Sequence, residues 1–459
     1  MEQADNLIRV LPADRMPALL LGEGRESSAP PVWTSFHLRQ PTEEGLLLFN
    51  SLTLELLHVP AALVPALEAP AGALRETLRK KWFLVPADLD QHRTARELRE
   101  ALYLMEQRPE GIEKFTVLTT TACNARCFYC YEKGWQPVTM SPELAEQTAD
   151  YILRHAAPRF HIDWFGGEPL VNMAAIDRIS DRLLAAKADF SASMFSNCYL
   201  IDEAVARRAA ERWRLRTLTV TIDGRRELYN RVKAYVNPTE DPFTRVIRNI
   251  HLLDQAGVEP IIRVNLDTFN RAEAYGLVEE LIREFGGSRK RDIRITPVYE
   301  KVEDPATWFS EADRTGNFRA MAELRRRLVE AGLCHETYLE RSLPTHRCMA
   351  DSGNMVMILP DGKLGLCEHY LRDHYIGDIW SETLDRQVME EFRELHPEIP
   401  ACADCPNYPL CIRLKKCDSA ICYPQMREYL EQNRRDAMLS TWKHYLRRAA
   451  AGASEARRP

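Results

Sequence analysis

No run of eighteen apolar residues occurs in this chain, so nothing in it is long enough to cross a bilayer as a helix. Its first residues, Met1-Glu2-Gln3-Ala4-Asp5, lack the basic-then-apolar pattern of a secretory signal. A basic excess is missing too: 61 Lys and Arg stand against 67 Asp and Glu, a formal charge of −6, whereas a nucleic-acid surface is normally basic. These absences argue against membrane and nucleic-acid partners and lead us to expect a cytoplasmic protein. Disulfides are rare in that compartment, yet the chain holds 12 cysteines, and clustered cysteines in a reducing setting point to metal. They are clustered: three lie at 123–130, seven between 348 and 422, and Cys198 and Cys334 stand alone.

The tightest group is Thr121-Ala122-Cys123-Asn124-Ala125-Arg126-Cys127-Phe128-Tyr129-Cys130. Iron–sulfur cubanes normally have four cysteine ligands, so a loop offering three leaves one iron open to a substrate or cofactor. Structural zinc wants four ligands, and the nearest histidines, His155 and His161, are more than twenty residues on. The C-x3-C-x2-C run, with the aromatic Tyr129 just before Cys130, resembles the radical S-adenosylmethionine (SAM) superfamily. The resemblance implies that Cys123, Cys127 and Cys130 hold a 4Fe–4S cluster whose open iron binds the amino and carboxylate groups of SAM. One electron then cleaves SAM to a 5′-deoxyadenosyl radical, which takes a hydrogen atom from the substrate. It also implies an electron donor of the flavodoxin or ferredoxin type.

The middle third alternates strand and helix. Apolar or β-branched runs fall at Phe115 to Thr121, Phe160 to Phe165, Ser193 to Ser196, Thr217 to Ile222, Pro260 to Leu266 and Ile293 to Val298. Between them, apolar residues at three- and four-residue steps predict helices over Ser141 to His155, Met173 to Lys187, Asp202 to Trp213, Phe243 to Ala256 and Arg271 to Phe285. Ser141 and Asp202 are N-cap candidates. Such alternation predicts a parallel sheet with right-handed crossovers. The pattern alone does not separate a Rossmann-type sheet from a barrel; the resemblance implies a partial (β/α)6 TIM-like barrel, an α/β fold. In parallel α/β folds chemistry sits at the C-terminal ends of the strands, and the three-cysteine loop follows the first strand.

The expected organisation is an N-terminal small α+β module over 1–110, a radical SAM core over 111–300, a linker over 301–345, a cysteine-rich auxiliary domain over 346–430, and a C-terminal helix and tail over 431–459. In the first module Gly45 to Asn50 reads as a strand, and Pro60 to Leu67, Gly72 to Lys80 and Arg93 to Met105 as helices. Gly22 to Pro31 reads as a loop. The module resembles the leader-binding regions of peptide-modifying radical SAM enzymes; a plain structural cap over the barrel is the alternative. The segment Glu300 to Arg327 bridges to the last domain, Gln425 to Ala449 reads as a charged helix, and Arg457-Arg458-Pro459 as a frayed tail.

Further motifs follow the strands. In Asp163-Trp164-Phe165-Gly166-Gly167-Glu168-Pro169, two glycines allow a close backbone approach to a ligand and Glu168 supplies an acceptor. The stretch Gly166-Gly167-Glu168-Pro169 resembles the superfamily turn that hydrogen-bonds the SAM amino group. Ser196-Asn197 matches a hydroxyl residue plus Asn that faces the SAM ribose in relatives. Gly often comes next there; Cys198 stands here and reads as a packed small side chain. Asp223-Gly224 and Asn230-Arg231-Val232-Lys233 follow the fourth strand, and Arg263 lies on the fifth. Either Lys233 or Arg263 is expected to pair with the SAM carboxylate, as a cation can.

From Cys348, thirteen residues lead to Gly362 and four more to Cys367; Cys402, Cys405 and Cys411 follow with gaps of two and five, then Cys417 and Cys422. This resembles the SPASM domain, which carries two auxiliary 4Fe–4S clusters, giving three in all. The gap of five before Cys417 and of four before Cys422 departs from the common pattern. By family analogy Cys402, Cys405, Cys411 and Cys422 hold one cluster, and Cys348, Cys367 and Cys417 the other. Two cubanes take eight thiolates and this block offers seven, so either Cys334 is the eighth or one iron is open. Zinc is the alternative, with His369 as a further ligand. Glu368, after Cys367, occupies the place of a catalytic base in sulfatase-maturating relatives; a hydrogen-bond acceptor behind the ligands or a solvated acid are the other readings. The combined expectation is a radical SAM/SPASM enzyme that abstracts hydrogen from a ribosomally made precursor peptide and forms a thioether or carbon–carbon cross-link. An anaerobic sulfatase-maturating enzyme making formylglycine, and a non-catalytic iron–sulfur or zinc protein, are the alternatives.

Overall fold

Antiparallel strands dominate the first hundred residues. The computed structural model describes residues 9–11, 16–22, 28–106, 110–287, 292–298, 311–370, 373–381, 383–403, 405, 407–417, 422 and 426–455. The expected tail at Arg457-Arg458-Pro459, residues 23–27 of the expected loop and residues 300–310 of the expected bridge lie outside them. Strands β1 (Arg9–Leu11), β2 (Pro31–Trp33), β3 (His37–Thr42), β4 (Gly45–Asn50), β5 (Glu55–Pro60) and β6 (Leu84–Pro86) are joined by helices α1 (Met16–Leu21), α2 (Gly72–Lys80) and α3 (Gln91–Met105). Four of the strands form one antiparallel sheet in the order β1-β5-β4-β3, and β2 pairs with β6. The segment read as a helix from Pro60 is a 3-10 turn over Ala61–Leu67, where Pro65 removes a backbone donor. Strand β5 was not expected: it is buried on both faces, so its sequence shows no alternation. Strand β3 carries Pro41, tolerated because β3 is the sheet edge.

Six parallel strands then alternate with helices: β7 (Ile112–Thr120), α4 (Pro142–His155), β8 (Ala156–Gly166), α5 (Met173–Ala185), β9 (Asp189–Phe195), α6 (Glu203–Glu211), β10 (Leu215–Thr221), α7 (Arg226–Lys233), α8 (Pro242–Gln255), β11 (Glu259–Leu266), α9 (Arg271–Phe285), β12 (Asp292–Pro297) and α10 (Glu311–Glu330). Phe160, Ile162 and Trp164 of β8 join the apolar core with α4 and α5, so His161 and Asp163 face the opposite, inner side. Ser141 and Asp202 cap their helices, accepting from the N–H of Leu144 and Val205. The sheet is open, ordered β12-β11-β10-β9-β8-β7, as a partial barrel requires. Residues 301–345, expected as a linker, hold α10, whose Phe318, Met321, Leu324 and Leu328 enter the barrel core. It is the helix of the sixth β/α unit.

The C-terminal segment continues the same sheet. After α11 (Met349–Ser352), β13 (Met355–Ile358) pairs in parallel with β7, and β14 (Lys363–Gly365) and β15 (Gly377–Asp378) add antiparallel strands beyond it. Helix α12 (Arg386–Glu391) follows. The long α13 (Met426–Glu455) begins next to Gln425, where the charged helix was expected to start, and so crosses the expected domain boundary at 431. It packs its Met438 and Trp442 into a second core together with Phe36, Leu47, Trp82 and Leu98 of the N-terminal module and Cys402, Tyr408 and Leu410.

Candidate functional site

The three-cysteine loop leaves the C-terminal end of β7, and two glycines on the neighbouring strand fix its root. A Cβ on Gly166 (φ +120°) would lie 2.1 Å from the carbonyl oxygen of Thr120, and one on Gly167 2.5 Å from that of Thr121 and 2.6 Å from that of Ala122. The approach of the cysteine loop by itself requires glycine at both positions. Gly167 and Glu168 donate their N–H groups to the carbonyls of Thr120 (3.1 Å) and Ala122 (2.9 Å). The loop is clamped from the other side by Arg126 N–H to Lys233 O and Val236 N–H to Asn124 O, both 2.8 Å. Cys123, Cys127 and Cys130 are each half-buried. Burial, then Glu168 and the other two cysteines, push the Cys123 thiol up to about 12, and burial raises that of Cys130.

Glu168 is 1% exposed. Its Oε1 accepts from Ser196 Oγ (2.8 Å) and Leu170 N–H (3.1 Å), and its Oε2 from Asn197 N–H (2.7 Å). One carboxylate thus joins the turn after β8 to the Ser196-Asn197 pair after β9. Burial pushes this carboxyl up to about 7 against those hydrogen bonds; among the described residues it faces neutral donors and no cation. Pro169 starts a buried 3-10 turn behind it. Asn197 reaches the cysteine loop directly, donating from Nδ2 to Asn124 Oδ1 at 2.6 Å. Cys198 is fully buried with φ +64°, a left-handed conformation that explains why relatives favour glycine there.

A second buried group lies behind Tyr129. Its hydroxyl donates to Asp223 Oδ2, and Lys233 Nζ lies 3.0 Å from both that hydroxyl and Asp223 Oδ2. Asp223 and Lys233 are 0% and 3% exposed. Asn265 N–H donates to the other Asp223 oxygen at 3.1 Å, and Arg263 Nε to Asn265 Oδ1 at 2.8 Å. Of the two cations considered for the SAM carboxylate, Lys233 is thus already paired, while the two Nη atoms of Arg263 make no hydrogen bond among the described residues. Asp223 was legible only as half of an Asp-Gly pair; its role as the counter-ion of Lys233 has no sequence signal.

The C-terminal thiols fall into two electrically interacting groups. Cys348 and Cys367 feel each other and Cys417, with Glu368 beside them. Cys411 feels Cys405 and Cys422, and Cys422 feels Cys402 and Cys405. Cys334 is apart from both: its charged neighbours are Arg325, Asp292 and Arg294, at the N-terminal start of β12, away from the end of the barrel that carries the cysteine loop. Tyr131, directly after Cys130, stacks on His369 with ring centres 4.8 Å apart, which brings the radical loop against the loop of Cys367 and Glu368. Neighbouring Glu132 is 9% exposed, and among the described residues its Oε1 has no hydrogen-bond partner; neither residue was singled out from the sequence.

These residues fit the groups the resemblance implies. Among the described residues no three His, Cys, Asp or Glu side chains are arranged to hold one metal ion; a cubane makes no such demand, because its thiolates bind separate irons. Close thiols on one buried loop raise each other's proton affinity, a repulsion that bound iron would relieve. A buried carboxylate without a cation offers a place for an ammonium group.

Residues 117–281 match the model of the Radical SAM superfamily: this part of the chain is a radical SAM domain. The radical SAM cyclopropyl synthase TigE of Paramaledivibacter caminithermalis is 24% identical over 226 residues, 42% of this chain and 46% of that protein. An uncharacterised protein of Methanocaldococcus jannaschii is 28% identical over 104 residues, 22% of this chain and 36% of its own length. The matches therefore span less than half of these curated relatives. Among solved structures, anSMEcpe with bound AdoMet aligns with a TM-score of 0.55 at 17% identity, covering 72% of this chain and 98% of that one. SuiB of Streptococcus suis bound to precursor peptide SuiA aligns at 0.50 and 12% identity, covering 83% and 95%. At these identities the likeness is one of fold. No described helix is long and apolar enough to cross a membrane.

Proposed function

We propose that this protein is a radical SAM/SPASM maturase that abstracts a hydrogen atom from a ribosomally made peptide and forms a thioether or carbon–carbon cross-link. The observation that carries the reading is that Glu168 and Asn197 tie three segments together: the Glu168 carboxylate accepts from Ser196 and Asn197, while Glu168 N–H and Asn197 Nδ2 donate to Ala122 O and Asn124 Oδ1 of the three-cysteine loop. Cys123, Cys127 and Cys130 would hold the SAM-binding cluster. Glu168 would accept the SAM ammonium, Ser196 and Asn197 would face the ribose, Tyr129 and the backbone from Gly166 to Pro169 would wall the site, and Arg263 rather than Lys233 would pair with the carboxylate. When bound, cluster and SAM supply a 5′-deoxyadenosyl radical. With Cys334 apart, Cys402, Cys405, Cys411 and Cys422 would complete one auxiliary cubane, and Cys348, Cys367 and Cys417 would leave the other with an open iron beside Glu368. A relative named as a cyclopropyl synthase supports carbon–carbon bond formation, and SuiB with its precursor peptide supports a peptide substrate on this fold. A flavodoxin- or ferredoxin-type protein would deliver the electron. The sulfatase-maturating alternative gains nothing from the N-terminal module, which such enzymes usually lack.

The test is the triple variant of Cys123, Cys127 and Cys130 to Ala. Wild type reconstituted without oxygen should hold about twelve irons and the variant about eight, as three and two complete cubanes require. The variant should release no 5′-deoxyadenosine from SAM and dithionite. Undiminished release would sink the cluster assignment, and four irons with zinc in the wild type would sink the SPASM assignment.

A further inference from the structure

The cysteine loop is charged on one side by a lysine that nothing so far has used. Lys233 ends α7, is 3% exposed, and is held 3.0 Å from Asp223 Oδ2. Its carbonyl accepts the Arg126 N–H from the middle of the loop, and its ammonium lies 5.7 Å from the centre of the Tyr129 ring, between Cys127 and Cys130 in sequence. Asp223 is fully buried, fixed by Asn265 N–H on its other oxygen and by the Tyr129 hydroxyl. Neither side chain can swing to water, so both are fixed charges.

We infer that Lys233, anchored by Asp223, is a positioning residue that sets the reduction potential of the cluster on the Cys123–Cys130 loop rather than a ligand of SAM. The inference rests on the cluster assignment proposed above. Reduction adds one electron, and a nearby cation stabilises the added negative charge, while a nearby anion opposes it. Net charge around a cluster is among the levers that set its potential. The cation is tied to the loop at two points, by its own carbonyl, which accepts the Arg126 N–H, and by its ammonium, 3.0 Å from the Tyr129 hydroxyl. The Tyr129 hydroxyl, caught between both charges, links the pair mechanically to the loop.

Opposite charge changes at adjacent atoms make opposite predictions. Lys233→Met should move the potential of the SAM-responsive cluster to more negative values, so that dithionite reduces a smaller fraction of it. Asp223→Asn should move it to more positive values. Lys233→Arg should hold it near wild type. The measurement is an anaerobic redox titration of the full-length protein, followed by the paramagnetic signal that changes when SAM is added, with iron counted in parallel. Single removal leaves a buried charge unpaired; if Lys233→Met loses iron, Lys233→Gln, whose amide can still donate to Asp223 while carrying no charge, takes over the test. Its potential should lie below wild type. Shifts of the same sign in the Lys233 and Asp223 variants, no shift at full iron content, or a wild-type potential in Lys233→Gln would overturn the inference. Absence of any SAM-responsive signal in the wild type would instead overturn the cluster assignment.

Discussion

Glu168 accepts from three neutral donors and sits in a fully buried pocket, and its raised carboxyl, at about 7, carries a testable sign. In the unfolded chain a Glu titrates near 4.3, roughly. The folded state therefore holds a proton that the unfolded state has lost. Its contribution to stability is complete below the unfolded value and is lost as pH rises through 7. A bound ammonium favours the carboxylate, so ligand binding below pH 7 must expel that proton. SAM affinity should be about tenfold weaker at pH 6 than at pH 8, measured by titrating the reconstituted protein at both. Glu168→Gln sharpens the point. Each oxygen faces a protein donor, so the amide nitrogen must confront either Asn197 N–H or the Ser196 and Leu170 donors. The variant should lose the pH dependence and also about 1–3 kcal/mol of stability. A flat pH profile in the wild type would remove Glu168 from the ligand site.

At the scale of elements, Gly167 tests how the loop is built. Alanine there must displace the carbonyls of Thr121 and Ala122, which lie 2.5 and 2.6 Å from its Cβ. Strain of about 1–3 kcal/mol would fall on the loop root, and iron at the radical loop should drop while helix content stays. Gly287, with nothing within 4 Å of its Cβ, is the control, and Gly287→Ala should keep full iron. Equal iron in both variants would refute the close-approach account. The same elements show what could be read beforehand. Helix α9 was placed to the residue at both ends, because its apolar residues repeat at helical steps. Strands β7 to β12 were placed within a few residues, since each turns one apolar face to helices. Strand β13 was missed: four residues are too few to show a period, and its place beside β7 is decided by tertiary pairing. Helix α10 was taken for linker because its charged residues hide a narrow apolar stripe around Phe318, Met321 and Leu324. The cysteine loop and Glu168 were legible from spacing, whereas the Lys233 and Asp223 pair joins residues whose contact only the fold creates.

On the scale of the whole molecule, the N-terminal module is not a free appendage. Ser51 Oγ donates to Tyr408 O at 2.7 Å, Arg99 Nη2 to Cys411 O at 3.2 Å, and His92 stacks on Tyr408 with ring centres 4.6 Å apart. Arg96 and His92 meet Glu398 at 2.6 and 2.9 Å, and His58 stacks on Trp442 of α13 at 4.5 Å. The module therefore builds one wall around Cys402, Cys405 and Cys411, with a shared core that includes Phe36, Leu98, Tyr408 and Met438. Among the described residues the barrel core draws none from before Ile112. Deleting residues 1–106 should then separate the two halves of the chemistry. Several large apolar side chains would lose their cover, each worth about 1.5–3 kcal/mol when fully buried, and the loops of Cys402 to Cys411 would lose their packing. Iron should fall by about four per chain, one cubane, while the cluster on the Cys123–Cys130 loop still supports 5′-deoxyadenosine release from SAM with dithionite. Arg99→Ala, which removes one hydrogen bond to Cys411 O without unpacking the core, should keep the iron count but broaden the spectroscopic signal of that auxiliary cluster. Full iron with unchanged spectra in the deletion would show that the module is a separable domain, and loss of all iron would show that the barrel depends on it as well.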